Sequence, residues 1–397
     1  MKNLISCPVI LLACAALLTA CGGGGGGTSD SGNAANVVNA GGTPGQVGSS
    51  LPMGTGQTLP IFSGNLPAAG NTASSVVVPA AAQAVNTASP ARRIGTGTPE
   101  SCTSAAVVSA VAQGGIITFN CGAAPMTITM TGTAKVFNDR PDVTLDGGGL
   151  VTLDGAGNTR ILYQNTCDSA QVFTSPRCDI QDTPRLTVQN LTFRNGNSTG
   201  QIADGGGGGA IFVRGGQFKI VNSRFFNNQC DAAGPDVGGG AVRVVGILSS
   251  NPVYVVGSTF GGAAGLGNKC SNGGALSSLG VSYSVINSVL SHNEAIGNGA
   301  NPAQAGTPGG GSGGAIYNDG NFFSLLISGS RVTDNTANEG GGAVFYVSND
   351  RSGTLSLNAS AFARNLSRGF ETSGLPGFFV IAAPGQPVIA GSTFSVN

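Results

Sequence analysis

The residues best suited to chemistry in this chain gather between positions 139 and 185. Asp139, Arg140, Asp142, Asp146 and Asp154 form its densest acidic run, with Arg160, Asp182 and Arg185 downstream. Hydrolysis of a glycosidic bond needs two carboxylates within about 5–9.5 Å of each other. A lyase acting on an acidic polysaccharide needs carboxylates to hold Ca²⁺ and a basic residue to take a proton. Asp139, Arg140 and Asp142 are the candidates for either reaction, and only the lyase would bring a cofactor, Ca²⁺. Local sequence argues against them. Asp146 and Asp154 each precede Gly, and Asp139-Arg140-Pro141-Asp142 contains a proline, so all read as turn residues. The remaining acids, among them Asp231, Asp236, Glu294, Asp319, Asp334 and Glu339, are spread one to a loop. The single histidine, His292, stands in Ser-His-Asn-Glu and also reads as a turn residue. No residue is therefore assigned a catalytic role.

Nine cysteines set the compartment and the cross-links. Lys2 followed by the apolar stretch Leu4 to Ala20 has the character of a secretory signal and is short for a membrane span. Its end, Leu18-Thr19-Ala20-Cys21, resembles the lipobox of bacterial lipoproteins, which implies that residues 1–20 are removed and that Cys21 carries lipid. Gly22, where retention at the inner membrane would call for Asp, implies sorting to the outer membrane, facing either the periplasm or the exterior. Cys7 and Cys14 leave with the signal, so six cysteines remain: Cys102, Cys121, Cys167, Cys178, Cys230 and Cys270. An even number in an exported chain argues for disulfides, and sequential pairing closes the shortest loops. With no CxxC pair and one histidine, a metal site is not expected. Lys and Arg number 18 and Asp and Glu 18, without a basic cluster, which disfavours nucleic acid as a partner.

Glycine accounts for 67 of 397 residues, and tryptophan is absent. Residues 21–98 run through Gly, Ala, Ser, Thr, Asn and Pro with Asp30, Arg92 and Arg93 as the only charges, and no apolar period is sustained. This stretch is expected to be a disordered tether, spanning roughly 45–55 Å as a Gly-rich coil. Residues 99–397 are expected to fold, beginning with a short capping helix over Ser101 to Gln113 that breaks at Gly114-Gly115.

An internal repeat decides the architecture. Phe193, Phe225, Phe260, Leu290, Val332, Phe362 and Phe394 recur at intervals of 32, 35, 30, 42, 30 and 32 residues. Gly-Gly-Ala followed by Ile, Val or Leu precedes most of them, at Gly208, Gly239, Gly273, Gly313 and Gly341. The units alternate apolar and polar with period two and contain no long helix-forming run, which excludes helical solenoids. They are mostly too short for propeller blades. The expected fold is all-β, a right-handed parallel β-helix, with coils ~4.8 Å apart and a rod roughly 35–45 Å long. The repeat phenylalanines should stack inside. Asn228, Asn293, Asn335, Asn365 and Asn397, three residues on, should form a turn ladder whose amides bond between coils. The third copy has Ala263 at that position.

The pairing of Gly-Gly-Ala-Ile/Val/Leu with Phe-x-x-Asn resembles the repeats of the chlamydial polymorphic outer membrane proteins, which are surface β-helix adhesins. Val143 to Gly155 is similar to entry coils of the pectin-lyase-like superfamily. Unlike the polymorphic proteins, the chain shows no membrane β-barrel after its repeats, so the lipid is expected to anchor it. The exposed edge of the last coil would be covered by Leu375 to Ala383 or by a partner. The resemblance implies a surface or envelope lipoprotein that binds a glycan or protein ligand without catalysis; the alternative is a polysaccharide lyase or glycoside hydrolase. Alternation places Phe212, Arg243, Ser277, Tyr317 and Phe345 on an outward row after each Gly-Gly-Ala. That row is the candidate binding surface.

Overall fold

The computed structural model describes residues 66–248 and 251–396. Cys21, the expected leader and tether up to residue 65, and Asn397 lie outside the described residues.

The described chain is a parallel β-helix: every pairing between strands of its three sheets is parallel, and each strand bonds to the equivalent strand of the coils before and after it. The Gly-Gly-Ala signatures open the strands Ile211–Arg214, Val242–Val245, Leu276–Leu279, Ile316–Gly320 and Val344–Ser348 of one sheet, which Phe378–Ile381 continues without the signature. A second, larger sheet takes two strands per coil, such as Tyr283–Ile286 and Val289–Ser291. A narrow third sheet holds Lys269–Cys270, Glu294–Ala295, Thr336–Ala337 and Leu366–Ser367. Phe378–Ile381, expected to cover the last edge, is instead a further rung paired with Val344–Val347. Phe378, paired with Val344 and fully buried like it, continues the inward column, so the segment adds a coil where a cap was expected.

The repeat phenylalanine column stacks in register through all seven positions. Phe193, Phe225 and Phe260 lie almost parallel, with ring centroids 5.0 and 4.5 Å apart, an arrangement that buries the rings against one another along the axis. Beside it runs the asparagine ladder. Each amide nitrogen donates to the side-chain oxygen of the next, from Asn228 to Asn268 (2.8 Å), Asn293 (2.9 Å), Asn335 (2.9 Å) and Asn365 (2.8 Å). Asn268 fills the rung that the third copy lacked at Ala263. The five residues Gly262 to Leu266 loop out and restore the phase. The ladder asparagines are not themselves left-handed. That conformation falls on the residue before, at Asn227, His292, Asp334 and Arg364, with φ between 52° and 62°.

A second ladder turns the other corner of the large sheet. The hydroxyls of Ser258, Ser288, Ser330, Ser360 and Ser392 each accept the backbone N–H of the serine one coil earlier, over 3.0–3.2 Å. The residue preceding each serine is again left-handed: Asn222, Gly257, Asn287, Gly329 and Gly391, types that tolerate it best, and Ala359 (φ 45°) before Ser360.

The helix α1, Ser104–Gln113, closes the first coil with Val107 and Val111 fully buried. Thr103 caps it by accepting the N–H of Ala106, and Gly114 (φ 69°) ends it. Three disulfides join Cys102 to Cys121, Cys167 to Cys178 and Cys230 to Cys270, the sequential pairing, with Cα atoms 5.7, 5.0 and 4.8 Å apart.

The expected tether boundary at residue 98 is corrected by the structure. Arg92–Ile94 is already a strand, paired with Ile117–Phe119. Ahead of it, residues 66–91 form a strap along the outside of the large sheet, running against the direction in which the coils stack. Asn71 donates to the carbonyl of Gly329 (2.9 Å), Asn287 to that of Val76 (2.8 Å), and Gln189 to that of Val85 (3.0 Å). Thr87 reaches Asp146 at 2.6 Å. Midway, Val76, Val78 and Ala82 pack on Val221, Val256 and Ile286, one apolar residue from each of three successive coils. A low-complexity segment with no period of its own is thus ordered by a surface already built.

Candidate functional site

The outward row expected to bind ligand is in register, as Phe212, Arg243, Ser277, Tyr317 and Phe345. It is not exposed. Exposure is 1% or less at the first four and 4% at Phe345, because the long connections fold back over this sheet. Arg243 donates to the carbonyl of Asp236 in one such connection and to Ser277 Oγ (2.5 Å). Asn301, in another, donates to Asp236 (2.9 Å), the Tyr317 hydroxyl (2.9 Å) and Asp319 (3.2 Å). Burial pushes the Asp319 carboxyl above its ordinary pKa, against the hydrogen bonds from Asn349 and Tyr317. Phe345 stacks on Phe379 at 5.3 Å. These residues hold loops down and offer no free surface.

The acidic run is likewise committed residue by residue. Asp139 lies 3.4 Å from Arg140, whose Nε donates to the carbonyl of Ala112 at the end of α1. Asp142 accepts from Nε and Nη2 of Arg185, at 2.8 and 3.1 Å. Asp154 accepts from Arg194 (2.7 Å) and Asn195 (3.0 Å). Asp146 accepts from Thr87, Gln189, Asn190 and the Gly148 amide. Burial acts to raise its pKa, but these bonds together hold it below the ordinary value. Arg160 is buried, donates to the carbonyls of Gly207 and Gly208, and lies 5.2 Å over the Phe212 ring. Turn chemistry and ion pairing thus account for these groups. His292 sits half-buried at its left-handed turn, 3.1 Å from Ser291 Oγ. The one convergence of metal-type ligands among the described residues, Cys167, Cys178 and Asp179, joins two disulfide sulfurs to a carboxylate that faces Arg214 at 2.7 Å.

A recess of about 700 Å³ lies elsewhere, on the outer face of the large sheet. Its floor is two rows of outward side chains in register. Asp142, Arg185 and Gln217 form one; Thr144, Thr187, Lys219 and Tyr254 form the other. Ala81 and Val85 of the strap make one wall and Asn251-Pro252 contributes a second. Lys219 ties floor to wall by donating to the carbonyls of Ala81 (3.2 Å) and Gln83 (2.7 Å), and burial lowers its pKa. Asn251 is held by Asp182 at 3.0 Å. Of the sequence candidates this groove brings together only Asp142, with Arg185 beside it; Asp139 and Arg140 do not line it. Gln217, Lys219 and Tyr254 were missed. Their signal was the alternation of polar residues at Asp142-x-Thr144, Arg185-x-Thr187 and Gln217-x-Lys219, which registers on one face once the coils stack.

The fold and site together define a parallel β-helix protein with a groove walled by its own N-terminal strap. No protein-family model, curated protein or solved structure matches the chain.

Proposed function

We propose that the chain is an envelope lipoprotein, anchored through Cys21 at the outer membrane, whose β-helix binds a glycan in the strap-walled groove without cleaving it. The observation that carries this reading is the bidentate Asp142–Arg185 pair on the groove floor. The one carboxylate lining the groove already accepts two hydrogen bonds from a guanidinium, which makes it a poorer general base or Ca²⁺ ligand, while the amides of Gln217 and Asn251 and the Tyr254 ring line the recess around it. The likeness of the repeats to polymorphic outer membrane proteins favours a surface-binding role. The likeness of the entry coils to the pectin-lyase-like superfamily favours a saccharide as ligand.

The test is incubation of the purified full chain with acidic and neutral polysaccharides, with and without Ca²⁺, scoring both binding and new reducing ends. Binding without new ends is expected. New ends that vanish in an Asp142→Ala variant would replace this reading with the lyase or hydrolase alternative. For the anchor, Cys21→Ala is expected to move the protein from the membrane to the soluble fraction.

A further inference from the structure

We infer that the loop closed by the Cys167–Cys178 disulfide, with the recess beside it, is a docking surface for a protein segment that carries an acidic side chain next to bulky apolar ones. This goes beyond the glycan-binding reading and does not rest on it. The loop exposes Val172 and Phe173 at 56% and 45%. Val172 adopts φ 83°, a conformation that a β-branched residue takes only under strain. Glycine would relieve that strain, and a side chain left in water contributes little to folding, so nothing in the fold itself calls for valine here. The loop is nevertheless fixed. The buried Asn138 donates from its side-chain nitrogen to the carbonyls of Phe173 (2.6 Å), Thr166 (3.3 Å) and Asp168 (3.4 Å), and from its backbone to that of Gln171 (3.0 Å). The disulfide and a hydrogen bond from the Thr166 hydroxyl to the Cys178 carbonyl close its base. Two apolar side chains held out on a rigid loop lose little freedom when a partner buries them.

The recess sets the sign of the partner's charge. Lys135 and Tyr163 stand in register ahead of Phe212 on the outward row. At these first rungs the row opens into a recess of about 470 Å³, lined by Asp168 of the loop and by the exposed Ile202 of the next connection. The acids here are already met. Asp168 accepts from the Tyr163 hydroxyl (3.2 Å), Gln171 (2.9 Å) and the Ala170 amide (2.9 Å), and Asp179 faces Arg214. Two cations are not. Lys135 in the recess and Arg177 in the loop are exposed, and among the described residues no carboxylate or hydrogen-bond acceptor meets either charged group, the Lys135 ammonium lying 5.7 Å from the centre of the Tyr163 ring. An acidic side chain entering the recess therefore gains Lys135 without displacing a partner, while its apolar neighbours cover Ile202 and the Val172–Phe173 tip. A glycan finds less. The Tyr163 ring is stacked on Phe212 (5.5 Å) and lies under Lys135, and Val172 and Ile202 are aliphatic, which leaves Phe173 as the ring on offer.

The experiment is selection of a phage-displayed library of random dodecapeptides on the purified full chain, with acidic and neutral polysaccharides as a parallel arm. Enriched peptides are then titrated by fluorescence anisotropy against the unaltered chain and its variants. They are expected to carry Asp or Glu beside large apolar residues. Val172→Gly should weaken their binding about ten-fold while leaving the melting midpoint unchanged or higher, a combination that a merely structural valine would not give. Lys135→Met, at an exposed position, should weaken it by a similar factor. Phe322→Ser, at an exposed apolar residue outside this surface, should leave it unchanged. Peptides that bind the Val172 and Lys135 variants as tightly as the unaltered chain overturn the docking surface, and so does a lack of any enrichment with the fold intact. Peptides that depend on Val172 but carry no acid overturn the partner's chemistry. Polysaccharide binding that both variants abolish overturns the protein partner in favour of a glycan.

Discussion

Asn293 shows how much one side chain carries in this molecule. Its oxygen accepts both the backbone and the side-chain N–H of Asn268, and its nitrogen donates to Asn335 and to the carbonyl of Phe260. Asn293→Ala would strand several fully buried polar groups at once and is expected to cost about 3 kcal/mol, read as a fall in thermal or denaturant midpoint. Gly267 is as constrained for another reason, since a Cβ there would collide with the carbonyl oxygen of His292. Gly267→Ala should therefore lower the melting temperature more than Gly265→Ala, whose Cβ meets nothing. Acid sensitivity also has a residue-level source. The Asp146 pKa is held below its ordinary value of 3.8, so its stabilising contribution is complete above that pH and is lost as pH falls through the lower, folded value. Because Asp146 receives Thr87 and Gln189, proteolysis of the strap should accelerate in that acid range, and Asp146→Asn should show the same acceleration at neutral pH. At this scale the sequence was most readable where residue type and spacing coincide, as in the phenylalanine column. It was least readable in the row from Phe212 to Phe345. Alternation points those side chains away from the core correctly, but it carries no information on the loops that cover them.

Among elements, the strap separates what a local pattern can disclose from what it cannot. Composition alone reads residues 66–91 as disordered, since they cannot bury a core among themselves. Order comes from a column of Val221, Val256 and Ile286 that exists only after coils distant in sequence have stacked. The groove is hidden for the same reason, because its floor spans several coils and its wall belongs to the strap. Removing residues up to Ser89 should expose that apolar column, lower stability by about 2–4 kcal/mol, and create binding of a hydrophobic dye that the intact chain lacks. Lys219→Met should free the strap between Ala81 and Gln83, seen as faster amide exchange there, while the coils remain folded. The capping helix ends where anticipated, because the Gly114 stop is a local signal, but it begins at Ser104, three residues later than anticipated, after the Thr103 cap.

As a whole, the molecule is a one-dimensional stack in which each coil is stabilised by its neighbours. The repeat spacing was therefore enough to read the architecture, though an insertion of a few residues concealed the Asn268 rung. Such a stack is unequal at its ends: α1 closes one, while Val388 and Ile389 in the final coil are 50% and 43% exposed. Amides of Val388–Ala390 are expected to exchange well before those of Tyr283–Ile286. Reducing the Cys230–Cys270 bridge, which closes a loop with a sequence separation of 40, should cost the middle coils about 2–4 kcal/mol. The strap also determines how the rod would bear a load. A pull applied upstream of Leu66 reaches first the contacts of Gly70 with Thr259 and of Asn71 with Asn287 and Gly329, partway along the flank and far from α1. The rod would be tugged sideways from its middle, and the strap would peel one contact at a time like an adhesive strip, absorbing work and later re-adhering before tension reached the first coil.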